Sequence, residues 1–314
     1  MNIQELKKQQ AYSEYTFNAE YLKPKFWSLW LLLGTLWLIG RLPLPFIAWL
    51  AKGIGTLMYK MGGSRLKITR RNIELCFPER AKQEQEELVK RNFQRIAMAL
   101  FEPGIAWWSS SARIQRLGRI KGLEHVQPLI ENKAPILMIS MHNFSVEMAA
   151  RFVGEAFPFN ILYRAHDNPV YEYTSISQRN KHQGKWFPRK YVKPFLNTVA
   201  NGEVGLFLPD QDLGLKRSIF VPFFNIQAAT IPNVSDYAHS TKAKVIYLNH
   251  YLSDDGKYTV KIFPPLKNFP SNDRIADTAR INKIIEEQIQ QRPDLYLWQH
   301  RRFKHRPEGE PKIY

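Results

Sequence analysis

Six short β-favouring runs lie between residues 119 and 265: "RIKGL" (119–123), "PILMISM" (135–141), "NILYR" (160–164), "VGLFLP" (204–209), "KVIYLNHYL" (244–252) and "YTVKIFPP" (258–265). Helical stretches near 145–156, 170–182, 190–201, 231–242 and 274–291 alternate with them. Strands parted by helices of about 10 to 15 residues need crossover connections, and crossovers place strands in a parallel or mixed sheet with helices on its faces. The spacing therefore predicts an α/β fold with a mixed, largely parallel sheet flanked by helices. In such sheets ligands gather outside the carboxyl ends of the strands. His142 follows the second run, Arg164 closes the third and Asp210 follows the fourth, so one sheet edge is predicted to collect all three.

The amino-terminal region is of a different kind. Residues 26–40 read "FWSLWLLLGTLWLIG", without a charge, and Lys23, Lys25 and Arg41 flank them. At ~1.5 Å per residue this is only about 22 Å of helix against a hydrocarbon core of about 30 Å. Apolar character resumes after Arg41, where Pro43 and Pro45 end or kink the first helix. Two readings follow: a short span with snorkelling cations, or a helical hairpin lying in the membrane interface with its tryptophans at headgroup level. A cleaved signal peptide fits less well, because a long charged segment precedes Phe26. Residues 1–60 are read as a membrane anchor that opens with a polar lead-in (1–25), and residues 61–314 as the α/β domain. Residues 60–80 look like a basic, irregular connector broken by Gly62, Gly63 and Pro78; residues 79–101 have the period of an amphipathic helix, stopped by Pro103 and Gly104.

Charge narrows the partner class. The chain has 45 Lys+Arg against 28 Asp+Glu, a net +17, and an excess of that size predicts attraction to a polyanion. With an apolar amino terminus and no nucleic-acid motif, anionic lipid is favoured over nucleic acid. The one cysteine, Cys76, cannot form an internal disulfide and reads as a buried structural thiol.

His142 and Glu147 stand five positions apart, which on a continuous helix leaves them about 140° out of register. They meet only if His142 ends a strand and Glu147 falls in the first turn of the next helix. In that geometry Glu147 would fix the imidazole tautomer and leave the other ring nitrogen to take a proton from an acceptor hydroxyl. The plain alternative for Glu147 is an acid favoured by the helix dipole. The chain has no G-x-S-x-G elbow, Walker A loop or H-E-x-x-H, and His300 and His305 lack partners at metal-ligand spacing, so no metal centre is expected.

The H-x-x-x-x-E box after a hydrophobic strand resembles that of the glycerolipid and lysophospholipid acyltransferase superfamily. With "ILYRAHDNP" (161–169), "LPDQDLG" (208–214), "FVPFFNIQAAT" (220–230) and "YLWQHRRFKHRPEG" (296–309), the chain is similar to the late acyltransferases of lipid A biosynthesis from about residue 26 to its end. The resemblance implies acyl transfer from an acyl carrier protein thioester, with no other cofactor than its phosphopantetheine, to a hydroxyl of a Kdo-bearing lipid A precursor at the cytoplasmic face of the bacterial inner membrane. It implies His142 as general base, Glu147 as its orienting partner, and Arg164, Asp210, Asp212, Arg301 and Arg302 as substrate-binding residues. Both substrates are anionic, which suits the positive charge. A second basic patch, Lys181, Lys185, Arg189 and Lys190, fits a headgroup, a carrier or simply water. "FVPFF" (220–224) is a groove candidate for the acyl chain, with core packing as its plain alternative. Asn225 stands where relatives carry glycine in "PFFG", which leaves that turn in question.

Overall fold

The computed structural model describes residues 16–182, 184–253 and 255–314, so most of the lead-in over residues 1–25 lies outside the described residues. Among the described residues nine strands form: β1 (Gly118–Lys121), β2 (Ile136–Ile139), β3 (Phe159–Tyr163), β4 (Gly184–Pro188), β5 (Val204–Phe207), β6 (Ile219–Phe223), β7 (Ile226–Thr230), β8 (Lys244–Leu252) and β9 (Tyr258–Pro265). Seven make one sheet in the order β1-β9-β8-β2-β5-β3-β4. All its pairings are parallel except β8 with β9. The predicted mixed, largely parallel sheet is thus observed, and each of the six predicted runs contains or overlaps one of its strands. The seventh, β4, escapes sequence reading because "GKWFP" carries a glycine, a lysine and a proline in five residues.

The helices are α1 (Trp27–Ile39), α2 (Leu44–Met61), α3 (Ser64–Cys76), α4 (Lys82–Ala99), α5 (Glu102–Trp108), α6 (Ser111–Leu117), α7 (Gln127–Glu131), α8 (Val146–Ala156), α9 (Pro169–Arg179), α10 (Val192–Ala200), α11 (Asn233–Thr241) and α12 (Arg274–Gln291). Central β2 is buried along its whole length, as expected of a strand covered on both faces. Ile136 and Met138 face a core shared with α1, α2, α5 and α8, while Leu137 and Ile139 face one shared with α3, α4, α10, α11, α12 and the carboxyl-terminal segment. β6 and β7 form a separate antiparallel hairpin. Its turn, Phe224 and Asn225, has φ of 49° and 60°. Asparagine tolerates the left-handed region better than most residues, so Asn225 adopts a backbone conformation that glycine would also adopt.

Two expectations need correction. The basic stretch over residues 60–80 is no irregular connector, since residues 64–76 are α3. Leu66, Thr69, Asn72, Ile73 and Cys76 recur at helical spacing on its buried face, and the cations between them give the segment its polar appearance. Nor is residue 60 a packing boundary. Leu33, Leu36, Leu44, Ile47 and Ala51 belong to the same core as the sheet. A Cβ on Gly40 would lie 2.1 Å from the Gly104 carbonyl oxygen, and one on Gly55 would lie 2.4 Å from Gln94 Cα. Backbone therefore touches backbone at both ends of the α1–α2 hairpin. Pro43 caps α2 after α1 has ended, as its sequence position predicts. Among the described residues no helix is long and apolar enough to cross a membrane.

Candidate active site

β2 and β5 are neighbours in parallel register, Ile139 opposite Phe207, so the loops leaving them emerge side by side. One carries His142 and the other Asp210. The Asp210 carboxylate holds the histidine at two points: Oδ2 accepts from the His142 backbone N–H at 2.9 Å, and Oδ1 lies 2.6 Å from Nδ1. Asp210 has 1% of its side chain exposed and His142 30%. Burial alone would raise the Asp210 carboxyl, but the charge of His142 and the hydrogen bonds from its ring and backbone outweigh burial and hold it below its ordinary value. An ionised carboxylate only accepts, so Nδ1 carries a proton in either form of the ring, and in the neutral form Nε2 keeps its lone pair. Among the described residues nothing bonds Nε2.

The loop between β2 and α8 is tightly fixed. Asn143 Nδ2 donates to the His250 carbonyl, and Asn143 Oδ1 accepts from the Ser145 backbone at 3.0 Å. Ser145 Oγ lies 3.2 Å from His250 Nδ1. Leu297 N–H donates to the His142 carbonyl at 3.2 Å, and Tyr296 bridges to Asn143. Burial pulls His250 down to about 4, so it braces the loop as a neutral imidazole. His250, Asn143 and Tyr296 were not singled out from sequence, where each reads as ordinary strand or loop.

The expected His142–Glu147 pair does not form. Glu147 does fall in the first turn of α8, but its carboxylate is turned to α5 and α9: it accepts from Trp107 Nε1 at 2.9 Å and from Arg179 Nε at 3.3 Å, with a second, closer bond from Arg179 Nη2. Arg179 in turn lies 4.2 Å from the Trp186 ring centroid. The physical reason is competition: the backbone amide and ring of His142 already sit against Asp210, while a buried guanidinium must have a counter-charge. The box is a strand, turn and helix as predicted, with its acid facing the other way.

The substrate-binding expectations also divide. Asp210 positions His142. Asp212 is likewise occupied by the chain: Oδ1 lies 2.7 Å from His305 Nδ1, Oδ2 accepts from the His305 backbone at 3.0 Å, and Oδ1 accepts from Gly214 N–H at 3.0 Å. Its carboxylate is not open to sugar hydroxyls. Arg302 is 1% exposed and donates to Ala229 O at 2.8 Å and Thr230 Oγ1 at 2.6 Å, so it ties the carboxyl-terminal segment to β7 and cannot meet a substrate anion. In "FVPFF", Val221, Phe223 and Phe224 are buried, with Phe223 against Phe303 and Tyr296, which is core packing; Phe220 is half-buried and Pro222 exposed. Arg164 and Arg301 are exposed. Arg164 leaves β3, the strand beyond β5, and pairs with Asp167 at 3.3 Å, itself exposed. The edge carrying His142, Asp210 and Arg164 is the predicted one, although the structure records no contact from Arg164 to the other two. Of the second basic patch, Lys181, Lys185, Arg189 and Lys190 are all solvent-exposed.

A family model described as bacterial lipid A biosynthesis acyltransferase matches residues 14–305. The chain is 36% identical over 300 residues to the lipid A biosynthesis lauroyltransferase of Escherichia coli (strain K12), covering 95% of this chain and 98% of that protein. It is 33% identical to the palmitoleoyltransferase of the same organism, covering 95% of this chain and 98% of the relative. To the myristoyltransferase it is 27% identical, with 96% and 95% covered.

Proposed function

Because the chain belongs to the bacterial lipid A biosynthesis acyltransferase family, we propose that it carries a fatty acyl group from an acyl carrier protein thioester to a hydroxyl of a Kdo-bearing lipid A precursor, at the cytoplasmic surface of the inner membrane. That it is an acyltransferase follows from the family.

The observation that carries the mechanism is the two-point clamp of Asp210 on His142. It fixes the ring, sets the tautomer and leaves Nε2 as the base. Nε2 takes the proton from the acceptor hydroxyl as its oxygen attacks the thioester carbonyl carbon. Collapse of the tetrahedral intermediate breaks the carbon–sulfur bond, and the departing thiolate takes the same proton from Nε2, so the ring ends as it began. The imidazolium that exists between these steps faces the Asp210 carboxylate, which stabilises it. Arg164, on an exposed loop at the neighbouring strand end, supplies a cation for the developing oxyanion or for an acceptor phosphate. Arg301 adds a second exposed cation for the anionic substrates. Glu147 and Arg179 hold the first turn of α8 against α5 and α9.

The test uses purified full-length protein in detergent, given acyl carrier protein thioesters of mixed chain length and either the lipid A precursor or a lysophospholipid, with products weighed by mass spectrometry. The expected result is acylated precursor from the parent and at least a hundredfold less from His142→Ala, the scale on which a general base acts. Near-normal turnover of that variant would overturn His142 as base, and product from the lysophospholipid alone would overturn the acceptor.

A further inference from the structure

The clamp that Asp210 places on His142 is repeated two residues later. Asp212 Oδ2 accepts from the His305 backbone N–H at 3.0 Å and Oδ1 lies 2.7 Å from His305 Nδ1, against 2.9 Å and 2.6 Å in the first clamp. Burial matches as well: the side chains of Asp212 and His305 are 0% and 26% exposed, those of Asp210 and His142 1% and 30%. Asp212 Oδ1 also accepts from Gly214 N–H at 3.0 Å, so it acts as the acceptor and His305 Nδ1 as the donor. In the neutral ring Nε2 then keeps its lone pair. Among the described residues nothing bonds that nitrogen, and it reaches solvent.

The two clamps share one end of the sheet. The α-carbons of Asp210 and Asp212 are at most about 7 Å apart. His300 stands between them: its Nε2 accepts from Asp212 N–H at 3.0 Å, and the charges of Asp210, His142 and Asp212 all reach its ring. A tether from the carboxyl-terminal segment to the β5 loop needs only the His305 backbone N–H and Nδ1, and it leaves the open Nε2 without a role. The surroundings suggest one. Lys304 N–H donates to the Arg301 carbonyl at 3.2 Å, closing a turn that carries two exposed cations just ahead of His305. On the loop that Asp212 anchors, Leu213 and Leu215 are 59% and 55% exposed on either side of Gly214. A fixed imidazole and two cations beside two leucines turned to water suit an anion carried on a lipid better than a soluble one.

We propose that His305, with Arg301 and Lys304, is the subsite for a phosphate group of the acceptor glycolipid, with Leu213 and Leu215 against its acyl chains. A proton on Nε2 makes the ring a cation that Asp212 balances from behind, and Nε2–H donates to a phosphate oxygen as a charge-assisted bond. The assignment rests on the phosphorylated glycolipid acceptor proposed above.

The test is equilibrium binding of the phosphorylated Kdo-bearing lipid A precursor to full-length protein in detergent, without donor, comparing the parent with His305→Asn. The asparagine amide donates to Asp212 from the place of Nδ1, so it keeps the tether and removes Nε2. The expected result is a Kd raised about tenfold or more, the scale of one hydrogen bond to a charged group, with an unchanged melting temperature. After the precursor is stripped of its phosphates by a phosphatase, parent and variant are expected to bind alike. Arg301→Ala/Lys304→Ala, at exposed positions, is the second variant and is expected to weaken binding of the intact precursor only. Equal Kd of the parent and both variants would overturn the subsite, as would a gap that persists after phosphatase treatment. In steady state the loss should fall on KM for the precursor and not on kcat; a rise confined to KM for the carrier thioester would overturn the assignment to the acceptor. Because binding is read without donor, the Kd ratio is measured whether or not acyl transfer occurs, so a failure of the proposed reaction and a failure of this subsite give different results.

Discussion

Replacing Asp210 by asparagine changes one atom and tests most of the mechanism. In the parent both carboxylate oxygens accept from His142, one from the backbone at 2.9 Å and one from Nδ1 at 2.6 Å. An amide has one acceptor and two donors, so it cannot serve both. If its oxygen keeps the backbone N–H, its NH₂ faces Nδ1 and drives the ring proton to Nε2, where the base should be. The counter-charge to the imidazolium is lost as well. Opposite charges about 4 Å apart at an effective dielectric of about 20 attract by about 4 kcal/mol, and the partial exposure of His142 reduces this to about 2–3 kcal/mol. At 1.36 kcal/mol for each tenfold, Asp210→Asn is expected to lower kcat by about 30- to 150-fold, with the tautomer effect added to that. Steady-state turnover on the lipid A precursor measures it, with a thermal melt to establish that the fold survives. A folded Asp210→Asn enzyme within threefold of parental kcat would refute the positioning role.

Other outcomes follow from the same geometry. Glu147→Gln removes the counter-charge of a largely buried guanidinium, at a cost of roughly 2–4 kcal/mol. For a chain of 314 residues that is a drop in Tm of about 3–6 °C by calorimetry. If Glu147 instead served His142, turnover would collapse while Tm stayed. Burial holds the Glu102 carboxyl well above its ordinary value, with the nearby charge of Glu147 adding to the effect. A raised carboxyl costs stability above its unfolded value, so Glu102→Gln is expected to leave Tm unchanged or raise it at pH 8, and a clear loss there would show the carboxylate to be ionised. His250 and His300 are both pulled down to about 4, chiefly by burial. Because the fold favours their neutral forms, their contribution is complete above about 6.5 and is lost as pH falls toward 4. For fully buried His250 this amounts to on the order of 3 kcal/mol, and a urea-unfolding series from pH 7 to 4 should show the decline. Asp210 has the ordinary carboxylate sense: its folded form favours ionisation, so its contribution is lost only as pH falls below the usual carboxylate range. The Tm gap between parent and Asp210→Asn should therefore narrow in strong acid, and a constant gap would contradict that sign.

What sequence alone determined was whatever depends on local period and on the order of elements. Runs such as "KVIYLNHYL" and the helical pattern of residues 274–291 appear where their spacing puts them, because a strand or helix registers its buried face in its own residues. The crossover lengths then required a parallel sheet and brought His142, Arg164 and Asp210 to one edge. Tertiary structure decided which side chains meet there. Glu147 is five residues from His142, and Asp210 is 68 away; the nearer acid turns to Arg179 while the farther one holds the ring, since partner choice depends on which strands are neighbours and on which buried cation needs compensation. The same holds for "HRRFKHRP": a run of cations in sequence resolves into exposed Arg301 and buried Arg302 because adjacent residues point to different sides of the chain, and only the packed β6–β7 hairpin fixes which side is inside.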